Sequence, residues 1–346
     1  MKLRWKIVLG VLGTLVVVGG GGFAYMLTAD PKPAKVVEAG PTGQRIAADG
    51  ILANFYPATG PGPHPAILLL GGSEGGLGKD IRAQALALQA EGFTTLQLAY
   101  HNAPGKSAKL KNIPLEDFYT GLDWLKKQPG VDPQRIGIVG YSKGAEAGLL
   151  VATRYSGIRA AALGMPSSVV WDGMSGENYM LGSFNSSWSE KGEPVPHLAY
   201  KGRPGSDGLM PVFVGGLKEQ GQNPAAIIPV EKYVGKLLLV CGEAETLWPS
   251  CPMTDQIVAR AKAKGAAAPL VLRYKHAGHG VMGAPFADAA DAKRWTGFGG
   301  GTAEANAAAR TDSWPKVVAF LKAELAPPDT GPTAQRQVIG KAAARR

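Results

Sequence analysis

The stretch Arg135-Ile136-Gly137-Ile138-Val139-Gly140-Tyr141-Ser142-Lys143-Gly144-Ala145-Glu146-Ala147-Gly148-Leu149-Leu150 decides how the rest of the chain is read. Its first third is a short apolar run of strand character, and its last third is apolar with helical character. Between them stands Gly140-x-Ser142-x-Gly144, a G-x-S-x-G pattern. With 48 glycines in 346 residues the pattern alone carries little weight. Its setting carries more: strand, sharp turn, helix is the context that presents a serine hydroxyl at the edge of a sheet as a nucleophile. A serine held in so tight a turn leaves little room for β-carbons beside it, which accounts for the two glycines. A serine at a helix N-terminus also faces unpaired N–H groups and the positive end of the helix dipole.

Such a serine needs a base. Of five histidines, His64 lies in a proline-rich turn, His197 in a long irregular segment, and His101 after a strand but before the serine. His276 and His279 follow the last strand candidate, and His279, flanked by glycines, is the preferred base with His276 as the alternative. The acid that orients the imidazole should follow the penultimate strand. Cys241-Gly242-Glu243-Ala244-Glu245 offers two carboxylates there, Glu245 preferred and Glu243 second, while Asp255 falls further along. Ser142, Glu245, His279 is the chain order nucleophile, acid, base found in α/β-hydrolases.

Stabilisation of an oxyanion is expected from main-chain N–H groups. The glycine-rich turn Gly71-Gly72-Ser73-Glu74-Gly75-Gly76 follows the strand Ala66–Leu70 and offers the amide of Ser73, or that of Glu74, to act with the amide of Lys143. Gly72, Glu74, His101, Trp171 and Trp248 are candidates to line the substrate site. The turn lacks the ending of a phosphate-binding loop, and no His/Cys/carboxylate group has metal-ligand spacing. No cofactor and no metal are expected.

Outward from this centre, short apolar runs alternate with helical periodicities. Strands are expected at Ala66–Leu70, Thr94–Ala99, Arg135–Val139, Ile158–Leu163, Lys236–Val240 and Leu270–Tyr274, with an antiparallel hairpin over Arg45–Pro57. Helices are expected around Ile81–Leu88, Leu115–Leu125 and Trp314–Leu325. The fold class is therefore α/β: a mostly parallel sheet with helices on both faces, in one catalytic domain over 45–326. Residues 165–230 are too long for an ordinary connection and rich in Trp, Tyr, Gly and Pro, so a cap over the site is expected there.

The ends have a different character. Formal net charge is +10, but Lys2, Arg4 and Lys6 precede the first apolar run, and Arg336, Lys341, Arg345 and Arg346 lie in the tail. No interior basic block exists, which argues against a nucleic-acid partner. Ile7 to Leu27 carries no charge and is long enough to span a bilayer core. Residues 1–28 are read as a membrane anchor, or as a signal peptide cleaved near Gly22-Phe23-Ala24. Either reading exports the domain, anchored in the inner membrane or secreted. A linker over 29–44 and a disordered tail over 327–346 complete the plan. Cys241 and Cys251 are either a disulfide or two unpaired thiols.

From about residue 45 to 325 the chain resembles the catalytic domain shared by acyl-CoA thioesterases and bile acid-CoA:amino acid N-acyltransferases, in its bacterial single-domain form. LLLGGSEGG, LQLAYHNAPG, GYSKGAE, LLLVCGEAETLWPSCP, AGHGV and GGTAEANAAARTDSW carry the resemblance. It implies an α/β-hydrolase fold, Ser142 as nucleophile, Glu245 as acid, His279 as base, and acyl transfer from an ester or thioester to water. Three departures stand out. The eukaryotic members have an N-terminal β-sandwich that the residues before Pro65 are too few to form, the family's usual acid is aspartate, and its amide-forming members use cysteine where this chain has Ser142. The other function classes left by the sequence are a dienelactone-hydrolase-like esterase, an acyltransferase with a non-water acceptor, and a tethered binding protein without turnover.

Overall fold

The computed structural model describes residues 36–175, 185–205 and 208–327. The segment read as anchor or signal, residues 29–35 of the linker, and the tail beyond Pro327 lie outside these residues. Among the described residues, no helix is long and apolar enough to cross a membrane.

Strands β1 (Gln44–Ala48) and β2 (Ile51–Tyr56) form the expected hairpin. They precede β3 (His64–Leu70), β4 (Thr94–Leu98), β5 (Ile113–Pro114), β6 (Val131–Tyr141), β7 (Ile158–Gly164), β8 (Trp188–Glu190), β9 (Glu193–Pro194), β10 (Lys236–Gly242) and β11 (Leu270–Tyr274). Eight of them form one sheet in the order β1-β2-β4-β3-β6-β7-β10-β11. The first two pairings are antiparallel and all those from β4 to β11 are parallel.

Alternation within single strands explains the two-sided core. Ala66, Leu68 and Leu70 of β3 join one apolar cluster, and Ile67 and Leu69 join another on the opposite face. The helices are α1 (Lys79–Ala90), α2 (Leu115–Lys126), α3 (Lys143–Ala152), α4 (Met210–Leu217), α5 (Ser250–Ala263), α6 (Ala289–Gly299) and α7 (Ala303–Glu324). Leu115, Phe118, Leu122 and Leu125 of α2 cover the first face together with α3. Ile81, Ala85 and Leu88 of α1 cover the second with Val317 and Leu321 of α7. α7 begins where the Thr302 side chain accepts a hydrogen bond from the Ala305 N–H at 3.1 Å, an N-cap that satisfies one unpaired donor.

The described part of 165–230 packs Val169, Trp171, Leu198 and Phe213 against Trp248 and against Met253 of α5. The small sheet β5-β8-β9 ties its chain to the start of α2. Parallel strands that all run toward the same edge deliver the loops after β3, β6, β10 and β11 to one side of the sheet, and there the candidate site forms.

Candidate active site

β6 ends at Tyr141 and α3 begins at Lys143, so Ser142 alone makes the turn. Its φ of 54° and ψ of −119° lie where side chains cost about 1–3 kcal/mol. Neighbouring strands hold the strain: the Ser142 N–H donates to the Gly164 carbonyl at the end of β7 at 3.0 Å. A β-carbon on Gly144 would stand 2.1 Å from the Gly71 carbonyl oxygen, so the second glycine of the motif is required by backbone contact between α3 and the turn after β3.

That turn lies against Ser142. A β-carbon on Gly72 would come within 3.3 Å of the Ser142 β-carbon. Its carbonyl oxygens are held from behind: the Tyr100 hydroxyl lies 2.7 Å from the Gly71 oxygen and 2.5 Å from that of Gly72, and His101 Nε2 donates to the Ser73 oxygen at 3.1 Å. Lys143 opens α3, so its N–H is one of the donors that a helix leaves without an internal acceptor. The Lys143 side chain points elsewhere, with Nζ 2.5 Å from Glu146 Oε2 and 2.7 Å from the Ser187 hydroxyl. Burial lowers its pKa against the opposing pull of Glu146.

Glu245 and His279 follow the two strands at the far edge of the sheet. Glu245, in the loop after β10, places Oε1 2.5 Å from His279 Nδ1, in the loop after β11. The same carboxylate accepts from the Trp248 N–H at 3.3 Å and from the Ser250 hydroxyl. Both side chains are buried. The Gly299-Gly300-Gly301 segment threads between the two loops. The His279 N–H donates to the Gly299 carbonyl at 2.8 Å, the Gly301 N–H donates to that of Ala244 at 3.0 Å, and Asn306 accepts from the Gly278 N–H at 2.7 Å while donating to the Gly300 carbonyl at 3.2 Å. A β-carbon on Gly278 would meet the Gly299 and Gly300 oxygens at 2.3 Å, which leaves glycine as the residue that fits. The Cys241 and Cys251 sulfurs are bonded, bridging the end of β10 to the start of α5 across the loop that carries Glu245.

Ser142 and His279 open onto one cavity of about 370 Å³. Gly72, Ser73 and Glu74 form its wall on the side of β3; Tyr141, Trp295 and Arg310 contribute to the rest. Removal from bulk water raises the Glu74 carboxyl above the ordinary carboxylate range, partly opposed by hydrogen bonds from its own N–H and that of Gly72. Trp295 stacks on His279 with ring centres 6.5 Å apart. Neither Trp295 nor Arg310 is anticipated from the sequence, because α6 and α7 read there only as connection and core-facing helix.

Three candidates for lining residues lie elsewhere. His101 is buried behind the Ser73 turn, and burial holds its pKa down to about 4. Trp171 is fully buried, stacked on Tyr200 and edge-on to Phe213, with its main-chain N–H donated to Glu146 Oε1 and its indole N–H to the Ser167 hydroxyl, both at 3.0 Å. Trp248 supports Glu245 through its main chain and sets its ring edge-on to His279 at 6.2 Å, while the adjacent Leu247 reaches the cavity. Of the described residues in 165–230, where a cap is expected, Met165 lines the cavity. Residues 176–184 and 206–207 lie outside the described set. The alternatives for the triad face outward. His276 is exposed, and Glu243 and Asp255 pair with Arg273 at the surface.

Residues 113–327 match the family described as BAAT / Acyl-CoA thioester hydrolase C terminal. The chain belongs to this family. It is 29% identical over 280 residues to mitochondrial acyl-coenzyme A thioesterase 2 of Mus musculus, covering 80% of this chain and 58% of that protein. It is 30% identical over 284 residues to bile acid-CoA:amino acid N-acyltransferase of the same organism, covering 80% and 63%. The chain thus spans about three fifths of the length of these relatives. Its fold is the α/β-hydrolase fold, shared with a puromycin-hydrolyzing peptidase of Mycobacterium tuberculosis at a TM-score of 0.52, with 14% identity over 84% of this chain and 40% of that one.

Proposed function

We propose that this family member is a serine hydrolase acting on an acyl thioester or ester. The observation that carries the reading is one cavity shared by Ser142, strained at the head of α3, and by His279, clamped through Nδ1 to Glu245. With Nδ1 committed to the carboxylate, Nε2 is the nitrogen that takes the Ser142 proton as Oγ attacks the acyl carbonyl. The tetrahedral oxyanion is met by the N–H groups of Ser73 and Lys143. His279 returns the proton to the departing thiolate or alkoxide. A water molecule, deprotonated by His279, then attacks the acyl-serine and releases the carboxylic acid and the free hydroxyl.

The names of the relatives support a thioester substrate, and a serine rather than a cysteine nucleophile supports water as the acceptor. The bonded Cys241–Cys251 pair supports an oxidising compartment and hence export. A panel of simple esters and acyl-CoA thioesters tests the activity. Turnover by the native chain, reduced on the order of 10⁴-fold or more in Ser142→Ala, is the expected result. Undiminished turnover in Ser142→Ala refutes it.

A further inference from the structure

The described residues include three buried cationic side chains: Arg135, Lys143 and Arg310. Arg135 is paired with Asp132 at 2.7 Å and Lys143 with Glu146 at 2.5 Å. Arg310, in the cavity wall, has no carboxylate within ion-pair distance among the described residues. The acids whose fields reach it, Asp80 and Asp291, are bonded to Arg294 at 2.8 and 3.0 Å. Its own contacts are neutral. Nε donates to the Gly280 carbonyl at 2.8 Å, Nη1 approaches that of Ala284 at 3.4 Å, and the guanidinium stacks 3.8 Å from the Phe286 ring centre and 5.2 Å from that of Trp295. A buried charge is stable when it is compensated, and two carbonyls with two rings compensate it only in part.

A second donor lies in the same wall. Tyr141 is buried, and its hydroxyl has no hydrogen-bond partner among the described residues. The Arg310 guanidinium is close enough for its field to act on that hydroxyl. A cation without a counter-ion and a hydroxyl without a hydrogen-bond partner, in one wall of the cavity that holds Ser142, call for the same chemistry: a negatively charged oxygen. Arg310 keeps its proton at neutral pH even though burial lowers its pKa to about 10.

We propose that Arg310 is a specificity residue that binds an anionic oxygen group, carboxylate or phosphate, carried by the substrate. The inference deepens the hydrolase reading and rests on the cavity being the substrate site. At about 30 Å³ per liquid-packed non-hydrogen atom, the cavity holds roughly a dozen such atoms, enough for a short acyl chain ending in a carboxylate. An anion on the leaving group is the other source of the same chemistry.

Four substrates separate the sources: hexanoyl and adipoyl thioesters, each of neutral N-acetylcysteamine and of phosphate-bearing CoA. In Arg310→Gln the adipoyl-to-hexanoyl ratio of kcat/KM on N-acetylcysteamine falls tenfold or more if the acyl group carries the anion. The CoA-to-N-acetylcysteamine ratio for hexanoyl falls by as much if the leaving group does, and Arg310→Lys restores part of either ratio. A purely structural Arg310 lowers all four equally; that result, or no change in either ratio, overturns the proposal. If the native protein turns over none of the four, the thioester part of the hydrolase reading fails separately, and calorimetric titration with adipate and with CoA decides the site. Binding weakened in Arg310→Gln and partly regained in Arg310→Lys sustains it, whereas absent binding or binding indifferent to the substitution overturns it.

Discussion

At the elbow, everything that positions Ser142 lies within Gly140 to Gly144 and the strand ends beside it; at the acid–base pair, Glu245 and His279 are 34 residues apart and are held by a third segment, Gly299 to Asn306. The elbow is fixed by local backbone geometry, with positive φ at Ser142 and a backbone contact at Gly144 that excludes a side chain. The acid–base pair is fixed by hydrogen bonds among three loops and a disulfide. One region encodes its geometry in five consecutive residues, the other in contacts that exist once the sheet is assembled. Substitutions at the elbow should act through steric exclusion, and substitutions at the pair through loss of orientation.

The largest effect that would sharpen this contrast is at Glu245. Glu245→Gln keeps the side chain's shape but removes the charge that stabilises the His279 cation, and kcat is expected to fall on the order of 10³–10⁴-fold in steady-state assays with little change in melting temperature. Gly144→Ala should do the reverse. Its β-carbon would enter the space of the Gly71 carbonyl, so denaturant titration should show a loss of about 3 kcal/mol before any chemistry is measured. If Gly144→Ala is as stable as the native chain, the elbow is not sterically fixed as described.

The clasp is open to a milder test. Replacing Cys241 and Cys251 together by serine removes a bridge across a separation of ten residues, and an unfolding loss of about 2–3 kcal/mol is expected. Because that loop carries Glu245, kcat should drop with the stability, more than KM rises. A further test, confined to acid pH, concerns His101, neutral and buried behind the Ser73 turn. Its pKa is about 4 in the folded chain against 6.5 when exposed, so the unfolded chain binds the extra proton between those values. The stability associated with neutral His101 is intact above pH 6.5 and is lost as pH falls toward 4, by about 3 kcal/mol at most. Urea titrations at pH 7 and pH 4.5 should show a smaller acid loss in His101→Gln than in the native chain.

The same contrast explains what was legible in the sequence. The run from Arg135 to Gly144 announces strand, turn and helix because each signal is local, and the two-sided burial of β3 follows from an apolar run of that length. The pairing of Glu245 with His279 was accessible through their positions after the last two strands. What side of a loop a residue occupies was not. His101 and Trp171 look like cavity residues in a linear reading because they stand near strand ends or in an aromatic insertion, yet one lies behind its turn and the other packs its ring on Tyr200 and Phe213 and donates its indole N–H to Ser167. Trp295 and Arg310 are not legible in the sequence for the opposite reason: α6 and α7 reach the cavity from more than 150 residues beyond the serine, and no local pattern records which of their residues face it.

The central claim is that Ser142 is a nucleophile activated by the Glu245-clamped His279. A fluorophosphonate reagent followed by peptide mass mapping tests it most directly, because the reagent phosphonylates an activated serine whatever the natural substrate. The account predicts a single adduct on the peptide containing Ser142, formed far more slowly in Glu245→Gln and absent in Ser142→Ala. An adduct that persists in Ser142→Ala, or that maps to another serine in the native chain, would contradict it.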